Sequence, residues 1–222
     1  MVVEFDGTVS LNQYSRNMPL AQEQKRLFPL LYFGPIEYYR QLVQNGDAEF
    51  ILNERFSKQT YRSRCDIMGA NGKLTLSIPV HRPYGKMTLM HEVLLSEETP
   101  WKQIHWKSIK SAYGRAPYFE YYASLIEQMI LYPTTHLNDY LKNLLTETFR
   151  LLEMQQIPFS EHSLTNDAQQ SIDSIACCKI NTAVASANYW QVFQDKHGFI
   201  DNLSILDLLF NEGPQAQIFI HR

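Results

Sequence analysis

The sequence predicts an α/β protein, with a central, mainly parallel sheet, helices on its faces and a helical C-terminal part. Three observations carry this. Between Leu27 and Leu52 an apolar run, a Gly-Pro break, a helical pattern and a second apolar run follow one another, which reads as strand, turn, helix, strand. Next, Cys65–Met68 and Leu74–Val80 flank Gly69-Ala70-Asn71-Gly72, which reads as a hairpin. Finally, the stretch from Thr99 to Met154 carries three successive helical patterns.

The first strand spans Leu27–Phe33, with Pro29 pushing its start towards a sheet edge. Gly34-Pro35 makes the turn, and Pro35 suits the first turn of a helix. Ile36, Tyr39 and Val43 share one helical face, and Asn45-Gly46 stops the helix. Glu49–Asn53 is the second strand, and a polar loop, Asn53–Arg64, follows it. In the hairpin, Leu74, Leu76, Ile78 and Val80 alternate with polar residues, as a half-buried strand does. A short strand is expected at Glu92–Leu95.

Thr99 can cap the next helix, Pro100 fits its first turn and Gly114 ends it. Trp101, Ile104, His105, Ser108, Ile109 and Ala112 share a face of it. Helices are predicted over Tyr118–Leu131 and His136–Met154. Ile172, Ile175 and Ala176 suggest a helix within 161–188, with a long loop as the alternative. Ser204-Ile205-Leu206-Asp207 has capping-box form, Leu203 and Leu208 can staple it, and Gly213-Pro214 ends that helix. The organisation read from this is a polar leader over 1–26 and one α/β domain over 27–222. Within that domain 118–160 is helical and 199–214 is the capped motif.

Net charge is −3, so the broad basic excess of non-specific nucleic-acid binding is absent. No apolar run reaches the ~18 residues of a membrane span. Met1–Arg26 shows no signal-peptide core. Cys65, Cys177 and Cys178 have no zinc spacing, and reduced thiols in a cytoplasmic protein are expected. There is no Gly-rich phosphate loop, G-x-S-x-G elbow or EF-hand loop, so neither cofactor nor metal is assigned.

Four ordered segments resemble the WbqC-like protein family. They are Tyr32–Tyr39 (YFGPIEYY), Phe56–Arg64 (FSKQTYRSR), Trp101–His105 with Ala112–Tyr113 and Ala116–Phe119, and Phe199–Pro214. The resemblance covers Leu27–Phe159 and Tyr189–Pro214. It implies a role in the assembly of O-antigen or related surface polysaccharide, with transfer of glycine or a similar group onto a sugar. Met1–Arg26 has no counterpart in the pattern, and the section between Phe159 and Tyr189 is shorter than in longer members. A looser analogy links the opening strand, turn and helix to HIGH-type nucleotidyltransferases. Those enzymes hold phosphates with His residues, and Gly34–Tyr39 has none, which argues against adenylyl transfer.

The candidate chemistry centres on the loop after the second strand. If Gln59–Arg64 is extended, Arg62 and Arg64 share a face and can clamp a phosphate or carboxylate, with Lys58 as a point charge. The plain alternative is a loop paired with Glu54 or Asp66. His105 is either a core histidine or the base that deprotonates an acceptor. Trp106 stacks on a sugar or packs against a neighbour. Tyr32, Tyr38, Tyr61 and Tyr113 line a sugar pocket or fill the core. The expected ligand is an activated sugar or another phosphate-bearing small molecule. The alternatives are a non-catalytic module that binds a sugar nucleotide or carrier protein, and a nucleotidyltransferase-like enzyme.

Overall fold

The computed structural model describes residues 25–177 and 188–221. Of the leader expected over 1–26, residues 1–24 lie outside the described residues, as do Cys178 and 179–187, and Arg26 already belongs to the first strand.

β1 (Arg26–Pro29) is shorter than the predicted strand. After Pro29 the backbone leaves the sheet. The Tyr32 N–H donates to the Tyr61 carbonyl at 2.8 Å, and Phe33 takes a left-handed φ of 40°. Leu30–Phe33 is therefore a buried connection and not strand. α1 (Ile36–Gln44) follows, with Pro35 at its cap and not in its first turn. The Ile36 N–H is satisfied by the Leu203 carbonyl at 3.0 Å. β2 (Ala48–Ile51) then lies parallel to β1, with Phe28 opposite Phe50.

β3 (Arg64–Gly69) and β4 (Gly72–Ser77) form the hairpin, closing at Gly69 opposite Gly72. β5 (Val80–His81) pairs with β6 (Leu94–Leu95). α2 (Trp101–Tyr113) starts after Pro100, and no side chain caps it, so Thr99 does not serve that role. Its buried stripe is Trp101, His105, Ile109, Ala112 and Tyr113, an i, i+3, i+4 pattern that leaves Ile104 half exposed. α3 (Phe119–Leu131) and α4 (Leu137–Leu151) match their predicted ranges closely.

β7 (Phe159–Ser160) joins the other side of β2 in parallel, so the sheet order is β1-β2-β7. Parallel neighbours need a crossover, and α4 supplies the last helix of this one. α5 (Asn166–Ala176) buries Ile172, Ile175 and Ala176, so this part of the stretch read as helix or loop is helical. α6 (Gln194–His197) is one turn. α7 (Ile205–Glu212) ends at Gly213, and the chain continues through a 3₁₀ turn into α8 (Ala216–Ile220). Gly213 has a φ of 57°, and a Cβ there would meet the Tyr118 ring at 2.4 Å. No helix among the described residues is long and apolar enough to cross a membrane.

The start of α7 locks onto the turn before α1. The Ser204 hydroxyl donates to the Phe33 carbonyl at 2.7 Å and accepts from the Leu206 N–H. The Ile205 N–H donates to the Gly34 carbonyl at 2.9 Å. The expected capping box does not close, because the Ser204 N–H is taken by the Asp66 carbonyl at 2.8 Å. The Asp207 carboxylate turns inward and accepts from Tyr189 Oη at 2.6 Å and Gln191 Nε2 at 3.0 Å. These are neutral donors, so burial pushes the Asp207 carboxyl up to about 6.

This shift makes stability depend on pH. The folded state holds the Asp207 proton more tightly than the unfolded chain, whose ordinary value is 3.8. The stabilisation is full below that ordinary value and is lost as pH rises through about 6, amounting to about 3 kcal/mol. In urea titrations, wild-type stability is expected to fall by that amount over this window relative to Asp207→Asn. Parallel pH curves for the two proteins would contradict the assignment.

Candidate functional site at the carboxyl ends of the parallel strands

Parallel strands release their loops at one end, and there the chain forms a hollow of about 480 Å³. Leu52 and Asn53 leave β2, and Glu161 leaves β7. The Leu52 N–H donates to the Ser160 carbonyl at 2.8 Å, so the two segments emerge side by side. The first turn of α4 closes the hollow with His136, Asn138 and Asp139, and Lys142 stands one turn further on. His91, on the short turn Met90–Glu92, completes the lining.

Local sequence explains the placement of α4. The Asn138 side chain donates from Nδ2 to the Leu52 carbonyl at 3.1 Å. The Leu137 N–H donates to the Val93 carbonyl at 2.9 Å. Together these pin the amino end of a 15-residue helix against the carboxyl end of β2. That end carries a partial positive charge, and the cap residue His136 makes no side-chain bond to it.

Polar and charged side chains line the hollow. Among the described residues no ion pair engages Asp139, Lys142 or Glu161. Asn53 and Asn138 each bury an amide oxygen, Oδ1, without a hydrogen-bond partner. Such atoms are uncommon in folded proteins and call for an explanation. His136 Nδ1 lies 3.1 Å from Thr135 Oγ1, and Lys142 Nζ sits 5.5 Å over the Phe159 ring. No group of three or more His, Cys, Asp or Glu among the described residues is arranged to hold a metal ion. A larger hollow of about 920 Å³ runs between β1 and α5. It is bordered by Lys25, Arg26, His162 and Ile172.

The residues singled out from sequence are placed otherwise. Gln59–Ser63 is a turn, with Gln59 at a φ of 61°, and is not extended. Arg62 and Arg64 therefore do not form one extended face. The Arg62 side chain is fully buried. Its Nε donates to Glu54 Oε1 at 3.0 Å, and its Nη2 contacts Glu54 Oε2 as well as Asp173 Oδ1 at 2.8 Å. Burial pushes the Glu54 carboxyl up against the pull of Arg62 beside it. Arg64 is half-buried at the start of β3, and Lys58 is exposed. Tyr61 donates to Asp66 Oδ2 at 3.0 Å.

His105 lies in an aromatic nest of Tyr32, Trp101 and Tyr140. Its Nδ1 is 2.9 Å from Tyr32 Oη, and burial pushes the imidazole down to about 4, so it is neutral at neutral pH. Tyr38 donates to the Pro29 carbonyl at 2.6 Å, and Tyr113 accepts from the Met68 N–H at 3.2 Å. Trp106 stacks on Phe119. The structure brings Tyr32 and His105 together, and none of these residues lines the hollow at Asn53, Asn138 and Glu161.

The family model described as the WbqC-like protein family matches residues 31–192. This chain belongs to the WbqC-like protein family. No curated protein and no solved structure matches it. The matched span contains every residue lining the hollow and leaves out Phe199–Pro214.

Sequence reasoning missed the lining of this WbqC-like chain. The one local signal was His136-Leu137-Asn138-Asp139, a polar cluster at the predicted helix start after Pro133-Thr134-Thr135. That it meets Asn53, His91 and Glu161 depends on a crossover of more than a hundred residues, which no local pattern carries.

The Arg62 cluster yields a stability prediction. Glu54→Ala leaves a buried guanidinium with one carboxylate less, and is expected to cost roughly 3–5 kcal/mol in urea unfolding. Replacing both partners by Glu54→Leu with Arg62→Met is expected to cost less than the single change. A single-variant loss under about 1 kcal/mol would show that the pair is dispensable.

Proposed function

We propose that this protein is a transferase of surface-polysaccharide assembly, and that the hollow at the carboxyl ends of β2 and β7 holds its activated sugar. The observation that carries this is the convergence on one pocket of a helix start, a lysine, two imidazoles and two carboxylates that have no ion-pair partner among the described residues. Amides in the first turn of α4 suit a phosphate, and Lys142 adds a point charge. An imidazole, from His91 or His136, supplies a proton acceptor. In transfer, the acceptor hydroxyl or amine forms a bond to the donor carbonyl carbon. Its proton passes to the imidazole, and the donor's leaving group departs with the bonding electrons. Such a step needs positioning and charge stabilisation, and no covalent nucleophile on the protein.

The roles first read for Arg62 and His105 pass to other residues in this account. The Arg62 guanidinium is committed to Glu54 and Asp173, and the His105 ring to Tyr32. Lys58 and Arg64 stay on the loop side as cations for an anionic donor or carrier.

Isothermal titration with UDP-glucose tests the pocket. Lys142→Ala is expected to weaken binding about tenfold, the loss of one charge-assisted contact. Unchanged affinity in Lys142→Ala, with a tenfold loss in Lys58→Ala, would move the site to the loop.

A further inference from the structure

One buried side chain folds the segment 188–200. Gln191 is fully buried, and both ends of its amide are engaged. Its Nε2 donates to the Ile200 carbonyl at 2.9 Å and to Asp207 Oδ2 at 3.0 Å, and its Oε1 accepts from the Ile200 N–H at 2.9 Å. The Gln191 N–H donates to Gln194 Oε1 at 3.1 Å. Tyr189 is buried as well, tied to Asp207 through its hydroxyl. With Tyr189 and Gln191 turned inward, the intervening Trp190 is turned out, and Asn188 with it. Trp190 is 45% exposed, and among the described residues its side chain has no hydrogen bond and no ring partner. An indole displayed in water on backbone fixed this firmly is preorganised for contact.

Around it lies an open hollow of about 430 Å³, lined by Asn188, Tyr189, Trp190, Gln194, Asp195 and Phe199. Gln194 has its Oε1 committed, which leaves its Nε2 as a donor. Asp195 is exposed, has no ion pair among the described residues and offers only acceptors, and the exposed Asn188 amide offers both kinds of group. Charge excludes anionic ligands. Asp195 is the one charged group in the lining, and the neighbouring basic side chains, Lys196 and His197, both reach the Ala70 carbonyl, at 2.8 and 3.0 Å. A phosphate here would meet a carboxylate and no cation. A neutral pyranose answers each feature. One face of its ring presents C–H groups that lie flat on an indole, and its hydroxyls project around the rim, where amides and a carboxylate pair with them. We infer that this hollow binds an uncharged sugar, with Trp190 as the platform for its ring. It shares no residue with the hollow at β2 and β7 and does not rest on the reading given to that one.

NMR titration of the isotope-labelled full chain tests this through the indole N–H signals of its three tryptophans. Trp101 is buried and Trp106 stacks on Phe119, so both serve as internal controls. The probes are the methyl glycosides of glucose, galactose, mannose and N-acetylglucosamine, with adenosine as the competing flat ligand. At least one glycoside is expected to move the Trp190 signal saturably and leave the other two indoles in place, and adenosine is expected to leave Trp190 unmoved at the same concentration. Trp190→Ala removes an exposed ring and should fold normally, and it is expected to weaken that glycoside at least about tenfold, read from the amides of 188–199. A Trp190 signal unmoved by all four glycosides would overturn the inference, and shifts at Asn53 and Glu161 in its place would leave the hollow at β2 and β7 as the sugar site. Movement of Trp190 by adenosine as strong as by any glycoside would overturn the sugar class in favour of a nucleobase. Unchanged glycoside affinity in Trp190→Ala would remove the platform and overturn the inference as well.

Discussion

A guanidinium withdrawn from water must be paired, and Arg62 is withdrawn completely. Its partners come from two distant parts of the chain, Glu54 just after β2 and Asp173 on α5. The same face of α5 adds Gln169, which accepts from the Arg55 N–H at 2.8 Å. Ser57 donates to Asp173 Oδ1 at 2.9 Å. The loop from Glu54 to Arg62 is thus fastened along one helix. A loop rich in cations, read alone as a solvent-facing clamp, is in part an internal tie.

The tie also bears on the pocket. The Glu54 carbonyl accepts from the Met90 N–H at 2.8 Å, and Phe56 donates to the Thr88 carbonyl at 3.0 Å. The segment that carries His91 is therefore registered against the segment that Arg62 holds. On the opposite side, Asn138 binds the Leu52 carbonyl and holds the start of α4. The hollow is built between these two attachments, on backbone fixed from both sides. Preorganisation of this kind holds the lining side chains in fixed places.

Much of the fold was legible, because its signals are local. Helical periodicity gave α3 and α4, and the Asn45-Gly46 and Ser204 punctuation gave the ends of α1 and the start of α7. The failures have physical causes. Leu30–Phe33 is as apolar as a strand, yet its backbone is taken by Tyr61 and its last residue is left-handed. Asp207 sits where a capping box would use it, but Asp66 reaches the Ser204 N–H first. The candidate site was the least legible part. Residue type and position on a loop or helix face marked Arg62 and His105, and neither tells a ligand contact from a buried pair. The residues of the hollow are ordinary in sequence, and only the parallel crossover between β2 and β7 assembles them.

The central claim is that the activated sugar binds at the carboxyl ends of β2 and β7, and not on the loop of Lys58 and Arg64. Amide chemical-shift mapping by NMR, on titration with UDP-glucose, separates the two directly. The account predicts saturable shifts centred on Asn53, His91, Asn138, Asp139 and Glu161, with Lys58–Arg64 little changed. Shifts centred on Lys58–Arg64, with Asn138 and Glu161 unmoved, would contradict it.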